Sequence, residues 1–418
     1  MKGSVIALVT GFCFCLTLSA WAQEEFPLLW QDVSREELVS GSSPASSAVR
    51  VAVSKSGMPP SVRTLPAGVG ANASFYGVTL DRKEFVLLID NASPAKLYAD
   101  TDGDGNLAEE TPFPLPAGAS TQPGQARDEG AWVLGPIDFK AGRQTPDQTI
   151  KAYVWVRPSA AAKTVFLCPA RYRSGKVRLG DQARVVALVD GNYNGVYNEA
   201  FSVASLSSPG TSSDLLAVDL NGDGRFTMSL SPPVFEVLPL PKILPADGGY
   251  YSIEAPADGS TLRMQRVEPK MGTFAPSGAE ADLLLLSESG YYALNTTATP
   301  WTLPVGKYAL LQALLKKTDA NGAVWSFPVS VLQTSGRASE IAVAEGRTTT
   351  LDLPAPTRAR VKVEAMAGLV YFEFTIEAQK GLSYSPAIQK EGKELSPPKF
   401  EVTDGAGKVV LSGAFQYG

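Results

Sequence analysis

Apolar residues along this chain come in short runs, many of them β-branched, and Gly, Pro, Ser or Thr interrupt them every few positions. That rhythm predicts strands joined by tight turns, and hence an all-β chain of several β-sandwich or β-hairpin modules. Gly77-Val78-Thr79-Leu80 leads through a turn into Phe85-Val86-Leu87-Leu88-Ile89-Asp90. Lys307–Lys317 is rich in helix formers, but Pro304-Val305-Gly306 stands before it and Asp319-Ala320-Asn321-Gly322 after it, so a hairpin is predicted there. Val361-Lys362-Val363-Glu364 alternates, as does part of Tyr371–Thr375, and Phe400–Leu411 reads as a hairpin with an Asp404-Gly405 turn. The pattern predicts one short helix, at the capping box Ser34-Arg35-Glu36-Glu37. Ser40–Ser47 reads as a linker.

The pattern also repeats. Gly175–Leu179 leads through a turn to Val185-Val186-Ala187-Leu188-Val189-Asp190, so both copies are hairpins ending in Asp. A further strand follows, Lys96–Ala99 in one copy and Leu215–Val218 in the other, and each runs into an acidic loop. Asp90 to Asp100 spans 10 residues and Asp190 to Asp219 spans 29, so the second copy carries 19 more. The predicted organisation is a signal peptide (1–22), an N-terminal segment and linker (23–66), β-module A (67–140), β-module B (141–270), a further β-module (271–340) and a C-terminal β-sandwich (341–418). The strand pattern of the last resembles immunoglobulin-like or carboxypeptidase-regulatory-type domains.

Lys2, the apolar stretch Val5–Leu18 and the small-x-small site Ala20-Trp21-Ala22 read as a secretory signal cleaved before Gln23. Cys13 and Cys15 do not sit in a lipoprotein cleavage box, so no lipid anchor is predicted. No later segment is long and apolar enough to span a bilayer. The expected address is secreted or periplasmic. Cys168 alone survives cleavage, in the apolar run Val165–Cys168, and reads as a buried structural thiol. The chain has no histidine, which excludes Ser-His-Asp and Cys-His catalysis and any His-ligated zinc site. A net charge of −5 without a basic tract argues against nucleic acid as a partner.

The acidic loops carry the candidate chemistry. Asp100-Thr101-Asp102-Gly103-Asp104-Gly105 and Asp219-Leu220-Asn221-Gly222-Asp223-Gly224 place oxygen-bearing side chains at positions 1, 3 and 5 and glycine at 6. Asp190-Gly191-Asn192-Tyr193-Asn194-Gly195, inside the extra length of the second copy, is another loop of this type, the second in chain order. Calcium takes six to eight hard oxygens, and a loop that wraps it needs a glycine to turn back. The loops resemble the DxDxDG calcium loops of EF-hands, dockerins, thrombospondin type 3 repeats and integrin-type propellers. That resemblance implies ligands Asp100, Asp102, Asp104; Asp190, Asn192, Asn194; and Asp219, Asn221, Asp223. It implies backbone carbonyls from Asn106, Val196 and Arg225, and a pinning apolar residue at position 8: Leu107, Tyr197, Phe226. The bidentate Glu of EF-hands is missing, since Thr111, Phe201 and Leu230 stand at position 12. Position 9 is Ala108, Asn198 or Thr227, not an acid. Glu109, Glu110, Glu199, Asp90, Asp214 or water remain open as further ligands. Affinity is expected in the weak range of extracellular modules, about 10⁻⁴ to 10⁻³ M.

Catalytic motifs are weaker. Ser93-Pro94-Ala95-Lys96 and Ser396-Pro397-Pro398-Lys399 match Ser-x-x-Lys but run into predicted strands, where the dyad needs a helix. Gly68-Val69-Gly70-Ala71-Asn72-Ala73 lacks the helix of a dinucleotide loop. The overall layout resembles uncharacterised exported bacterial proteins. The expectation is a secreted, calcium-stiffened β-module protein, structural or binding, facing a protein or glycan at the cell envelope and performing no catalysis. A carboxylate-dependent carbohydrate-active hydrolase and an accessory subunit of an exported assembly remain as alternatives.

Overall fold

The computed structural model describes residues 23–40, 43–47, 51–80, 83–92, 94–115, 132–140, 149–157, 164–204, 213–230, 233–329, 340–366, 369–378, 383–385 and 387–415. The expected signal peptide lies outside them. The described chain is nearly all β, divided among many sheets. Among the described residues, no helix is long and apolar enough to cross a membrane.

The first acidic loop lies between the third and fourth strands of a four-stranded meander: β1 (Ser74–Leu80), β2 (Lys83–Asp90), β3 (Lys96–Ala99) and β4 (Phe113–Pro114). The third loop in chain order, Asp219–Gly224, holds the same place in the counterpart meander: β5 (Arg171–Leu179), β6 (Gln182–Val189), β7 (Leu215–Val218) and β8 (Val237–Pro239). The order in the sheets is β4-β3-β2-β1 and β8-β7-β6-β5, every pairing antiparallel. The duplication is therefore topological as well as textual, and it extends to a fourth strand ending in Pro114 or Pro239.

Register adjusts one equivalence. Leu80 pairs with Lys83 and Leu179 with Gln182; Leu87 pairs with Ala99 and Val186 with Val218. Residues of the first two strands of each copy thus differ by 99, not 100, so Asp90 matches Val189, not Asp190. Asp90 closes its strand, whereas Asp190 opens the loop beyond its own. The β2–β3 connection holds residues 91–95 and the β6–β7 connection residues 190–214, an excess of 20 rather than 19.

The run Phe85–Ile89 is apolar throughout because both faces of β2 are covered. Phe85, Leu87 and Ile89 face the main core of an eight-stranded sheet, while Val86 and Leu88 face a second cluster with Phe75, Tyr98 and Leu107. That sheet continues from β1 through Val51–Ser56, Thr164–Pro169, Ile150–Arg157 and Trp132–Phe139. It draws strands from both sides of residue 140, because Ile137, Phe139, Val154 and Val156 complete the core begun by β2. In the second copy, β5 to β8 pair with Leu29–Asp32 in a five-stranded sheet. This sheet shares a core with the four-stranded sheet of Glu24–Pro27, Ile243–Ala246, Gly249–Glu254 and Thr261–Val267.

The capping box forms as the sequence predicts. The Ser34 amide donates to Glu37 Oε2 at 2.8 Å and the Glu37 amide to Ser34 Oγ at 3.2 Å, ahead of the helix Arg35–Ser40. The described part of the expected linker is packed, with Ser43 and Ala45 buried. Lys307–Lys317 lies within the strand Gly306–Thr318, which pairs with Val324–Pro328 as a hairpin. Cys168 is buried. Lys96 and Lys399 both open strands, so neither Ser-x-x-Lys sequence is helical at its lysine.

The C-terminal hairpin Pro356–Met366/Leu369–Ala378 and the hairpin Lys399–Thr403/Val409–Ala414 meet through Phe372, Phe374, Phe400 and Phe415. The turn predicted at Asp404-Gly405 runs over Asp404–Lys408, closed by Lys408 O accepting from the Asp404 amide at 2.9 Å.

Phe85 is fully buried, with its ring edge-on to Phe139 at 5.3 Å. Phe85→Ala should cost about 3–5 kcal/mol, seen as a lower denaturation midpoint with an unchanged far-ultraviolet spectrum. A loss below about 1 kcal/mol would place this side chain outside the core.

Candidate metal centre

The three loops share one hydrogen-bonding pattern. The position-1 carboxylate accepts from the amides at positions 5 and 6. Asp100 takes Asp104 at 3.2 Å and Gly105 at 3.1 Å. Asp190 takes Asn194 at 3.3 Å and Gly195 at 2.9 Å, and Asp219 takes Asp223 at 3.1 Å and Gly224 at 3.0 Å. The position-5 side chain accepts from the amide at 7: Asp104 from Asn106 (2.6 Å), Asn194 from Val196 (2.8 Å), Asp223 from Arg225 (2.8 Å). The backbone pays for this wrap with left-handed residues at positions 4 and 6. Gly105, Gly195 and Gly224 have φ of 81°, 77° and 79°, and Gly103, Tyr193 and Gly222 have φ of 63°, 61° and 77°. The turns at Asp319 and Asp404 also accept two amides each, but place no third oxygen-bearing side chain at position 5.

Only the first loop gathers three carboxylates. One oxygen each from Asp100, Asp102 and Asp104 lies within 4.8 Å of the others. At position 3, Asn192 accepts from the Asn194 amide and Asn221 from the Asp223 amide. Asp102 departs from that pattern: its Oδ1 is buried without a hydrogen-bond partner, as is Oδ1 of Asn106. Buried oxygens without donors are costly unless something electropositive meets them. Here they sit beside carboxylates, the donor chemistry of a hard divalent cation. The residues therefore fit a metal ion.

Charge points the same way. Burial raises the Asp100 carboxyl above its ordinary range, against the amides of Gly105, Gly103 and Asp104, and the Asp102 charge raises it further. Burial likewise raises Glu110, which feels Asp100 and Asp102. The ammonium of Lys83 donates to the Asp102 carbonyl. One lysine leaves a surplus of negative charge that a divalent ion would neutralise.

Neighbouring chain holds this loop in place. Gly105 O accepts from the amides of Arg63 (2.8 Å) and Thr64 (3.3 Å), Thr101 O from Lys140 (2.8 Å), and Leu107 donates to Thr64 O (3.0 Å). Leu107, the expected apolar pin, is fully buried with Val86 and Leu88. The equivalent pin in the second copy, Phe226, packs half-buried against Ala187 and Ala217. These alanines occupy the places of Leu88 and Tyr98, so small strand residues leave room for a larger pin. Tyr197 is buried in the core of the second copy.

The second and third loops satisfy more of their own oxygens. The side-chain nitrogens of Asn192 and Asn194 both donate to Glu199. Asn221 Nδ2 donates to Asp223 Oδ2 at 3.2 Å, and Asn221, Asp223 and Arg225 are exposed. Arg184, paired with Asp247 at 3.0 Å, lies beside Gly222. Burial pushes Asp190 up to about 6, opposed by amides of its loop. Burial and the Asp190 charge hold Asp214 well above the carboxylate range.

The sequence reading missed Glu236, which is fully buried and accepts from the amides of Leu220 (2.9 Å), Asn221 (3.0 Å) and Thr227 (2.9 Å). It stands 17 residues beyond Asp219, outside any loop motif. The available signal was a lone acid in the apolar run Pro233-Val234-Phe235-Glu236-Val237-Leu238. Of the other residues weighed as ligands, Glu109 accepts from Asn106 Nδ2 at 2.8 Å, and Asp90 accepts from the Ala92 amide, away from the loop.

Comparison with known proteins finds no matching family model, no matching curated protein and no matching solved structure.

A Cβ on Gly105 would lie 1.9 Å from Ser61 O, on a backbone already at φ +81°. Gly105→Ala should destabilise by more than about 2 kcal/mol and loosen the 59–64 segment in limited proteolysis, whereas Gly224→Ala, with nothing near its Cβ, should cost only the φ strain of about 1 kcal/mol. Equal costs would contradict the packing described.

Asp190 supplies a pH test in chelator. A folded-state pKa raised from 3.8 to about 6 means the native state holds this proton more tightly. The stabilisation is complete at low pH and disappears as pH climbs from about 4 through 6. The melting-temperature difference between wild type and Asp190→Asn should shift against wild type across that window. A constant difference from pH 4 to 7 would refute the shift.

Proposed function

We propose that the first loop binds a calcium ion and that the protein is an exported, calcium-stiffened β-module protein with a structural or binding role at the cell envelope. The observation that supports this most is the convergence of Asp100, Asp102 and Asp104 around side-chain oxygens that have no donor. Calcium accepts this all-oxygen set with carbonyls and water, and tolerates irregular geometry better than magnesium does. A transition metal would be better served by histidine or thiolate, and the chain has no histidine.

The loop's position explains the benefit. Its backbone joins segment 59–64 to β3 and to Lys140, so an ion there would fasten three stretches of chain at once. The second and third loops would bind more weakly, because their Asn side chains and Glu199 already satisfy one another and Arg184 stands near the third. A catalytic role for these carboxylates is less favoured. They are turned onto backbone amides, whereas a general acid or nucleophile faces substrate across a cleft. The signal-like N-terminus supports export, where free calcium is abundant. The partner, on this reading, is a protein or glycan of the envelope.

With a dissociation constant of about 0.1 mM and free calcium of about 1 mM, one site adds about 1.4 kcal/mol. Calcium should therefore raise the melting temperature by a few degrees, and Asp102→Ala should abolish most of the rise. Asp223→Ala, in the exposed third loop, should leave most of it. Superimposable melting curves in millimolar calcium and in chelator would remove the proposal.

A further inference from the structure

Each loop is held by a carboxylate that lies beyond its six-residue Asp-to-Gly motif. At position 2 of the first loop, the Thr101 amide donates to Glu110 at 2.6 Å and the Thr101 hydroxyl binds the same carboxylate. At position 2 of the second, the Gly191 amide donates to Asp214 at 3.3 Å. At position 2 of the third, the Leu220 amide donates to Glu236 at 2.9 Å. Asp214 and Glu236 are fully buried. Their second oxygens fasten the chain just beyond each loop, at Glu199 (2.8 Å) and Thr227 (2.9 Å).

The placement corresponds in the first and third loops, while Asp214 directly precedes β7. Glu110 and Glu236 precede the fourth strand of their meanders, β4 and β8, by three residues and by one. The third loop reaches its strand by a longer path, through the small hairpin Met228–Leu230/Pro233–Phe235, yet a glutamate still returns to the same amide. A contact that survives this change of length reads as a requirement of the loop rather than an accident of one turn.

The physical need is clear. The position-1 carboxylate gathers the amides at positions 5 and 6, and the position-2 amide donates to the separate carboxylate instead. An unpaired buried amide would let the peptide after position 1 rotate, and the position-1 side chain would rotate with it. We propose that Glu110, Asp214 and Glu236 are positioning latches: each fixes the peptide that orients the first metal-facing carboxylate. This rests on the calcium reading above. The latch acts through hydrogen bonding, so an amide side chain should substitute for it.

The test uses the full chain and calcium chloride, with Glu110→Ala and Glu110→Gln. Calorimetric titration should show calcium affinity about tenfold weaker for Glu110→Ala, the effect of losing roughly one hydrogen bond. Glu110→Gln, whose Oε1 still accepts from Thr101, should stay within about threefold of wild type. Affinity in Glu110→Ala equal to wild type overturns the latch, and so does a Gln variant as weak as the Ala variant. Should Glu110→Ala not fold, Glu110→Gln decides alone, within threefold supporting and tenfold loss overturning. Should wild type take up no calcium, the function proposed above falls by itself. The latch is then judged in chelator by amide exchange: Thr101 exchanging at least tenfold faster in Glu110→Ala sustains it, and equal exchange overturns it.

Discussion

The paired hydrogen bonds from each loop's first aspartate to the amides at positions 5 and 6 are the constraint from which the rest follows. They close the loop on itself and force positions 4 and 6 into left-handed backbone. That wrap leaves the side chains at 1, 3 and 5 on one concave side. It also aims position 8 back toward the sheet, where Leu107 and Phe226 reach equivalent clusters. A turn with only the first aspartate, as at Asp319, makes a serviceable hairpin tip and nothing more.

Duplication kept this wiring while the chemistry diverged. The first copy concentrates negative charge: Asp100, Asp102, Asp104 and Glu110 face one nearby ammonium. The second copy spreads it. Its inserted loop matches two asparagine amides to Glu199, and its final loop places Asn221 against Asp223 with a guanidinium at hand. Such substitutions quench the demand for a cation by supplying N–H donors instead. Backbone geometry alone therefore does not rank the three loops as ion sites; the oxygens left without donors do.

Much of this was legible in the sequence, for definable reasons. Alternation and turn residues act locally, so the Asp319 hairpin, the capping box at Ser34 and the buried Cys168 run could be read directly. The duplication was visible too, but its alignment slipped by one, because Asp90 and Asp190 look alike although one ends a strand and the other starts a loop. Only strand pairing, which is set by partners far along the chain, distinguishes them. For the same reason Val51–Ser56 and Trp132–Phe139 joined one sheet across an apparent module boundary. Glu236 showed only as a lone acid in an apolar run, because its role depends on folding back over an intervening hairpin. The left-handed position 4 was half visible, as glycine in the first and third loops, and hidden in the second by Tyr193, which core packing holds at φ 61°.

The most direct test is a crystal grown in chelator and then soaked in millimolar calcium, with anomalous difference density examined at the first loop. The account predicts a peak bounded by Asp100, Asp102 and Asp104, with Asn106 within coordinating reach and oxygens at about 2.3–2.6 Å. Carboxylates turned outward around ordinary water, with no anomalous peak at that point, would contradict it.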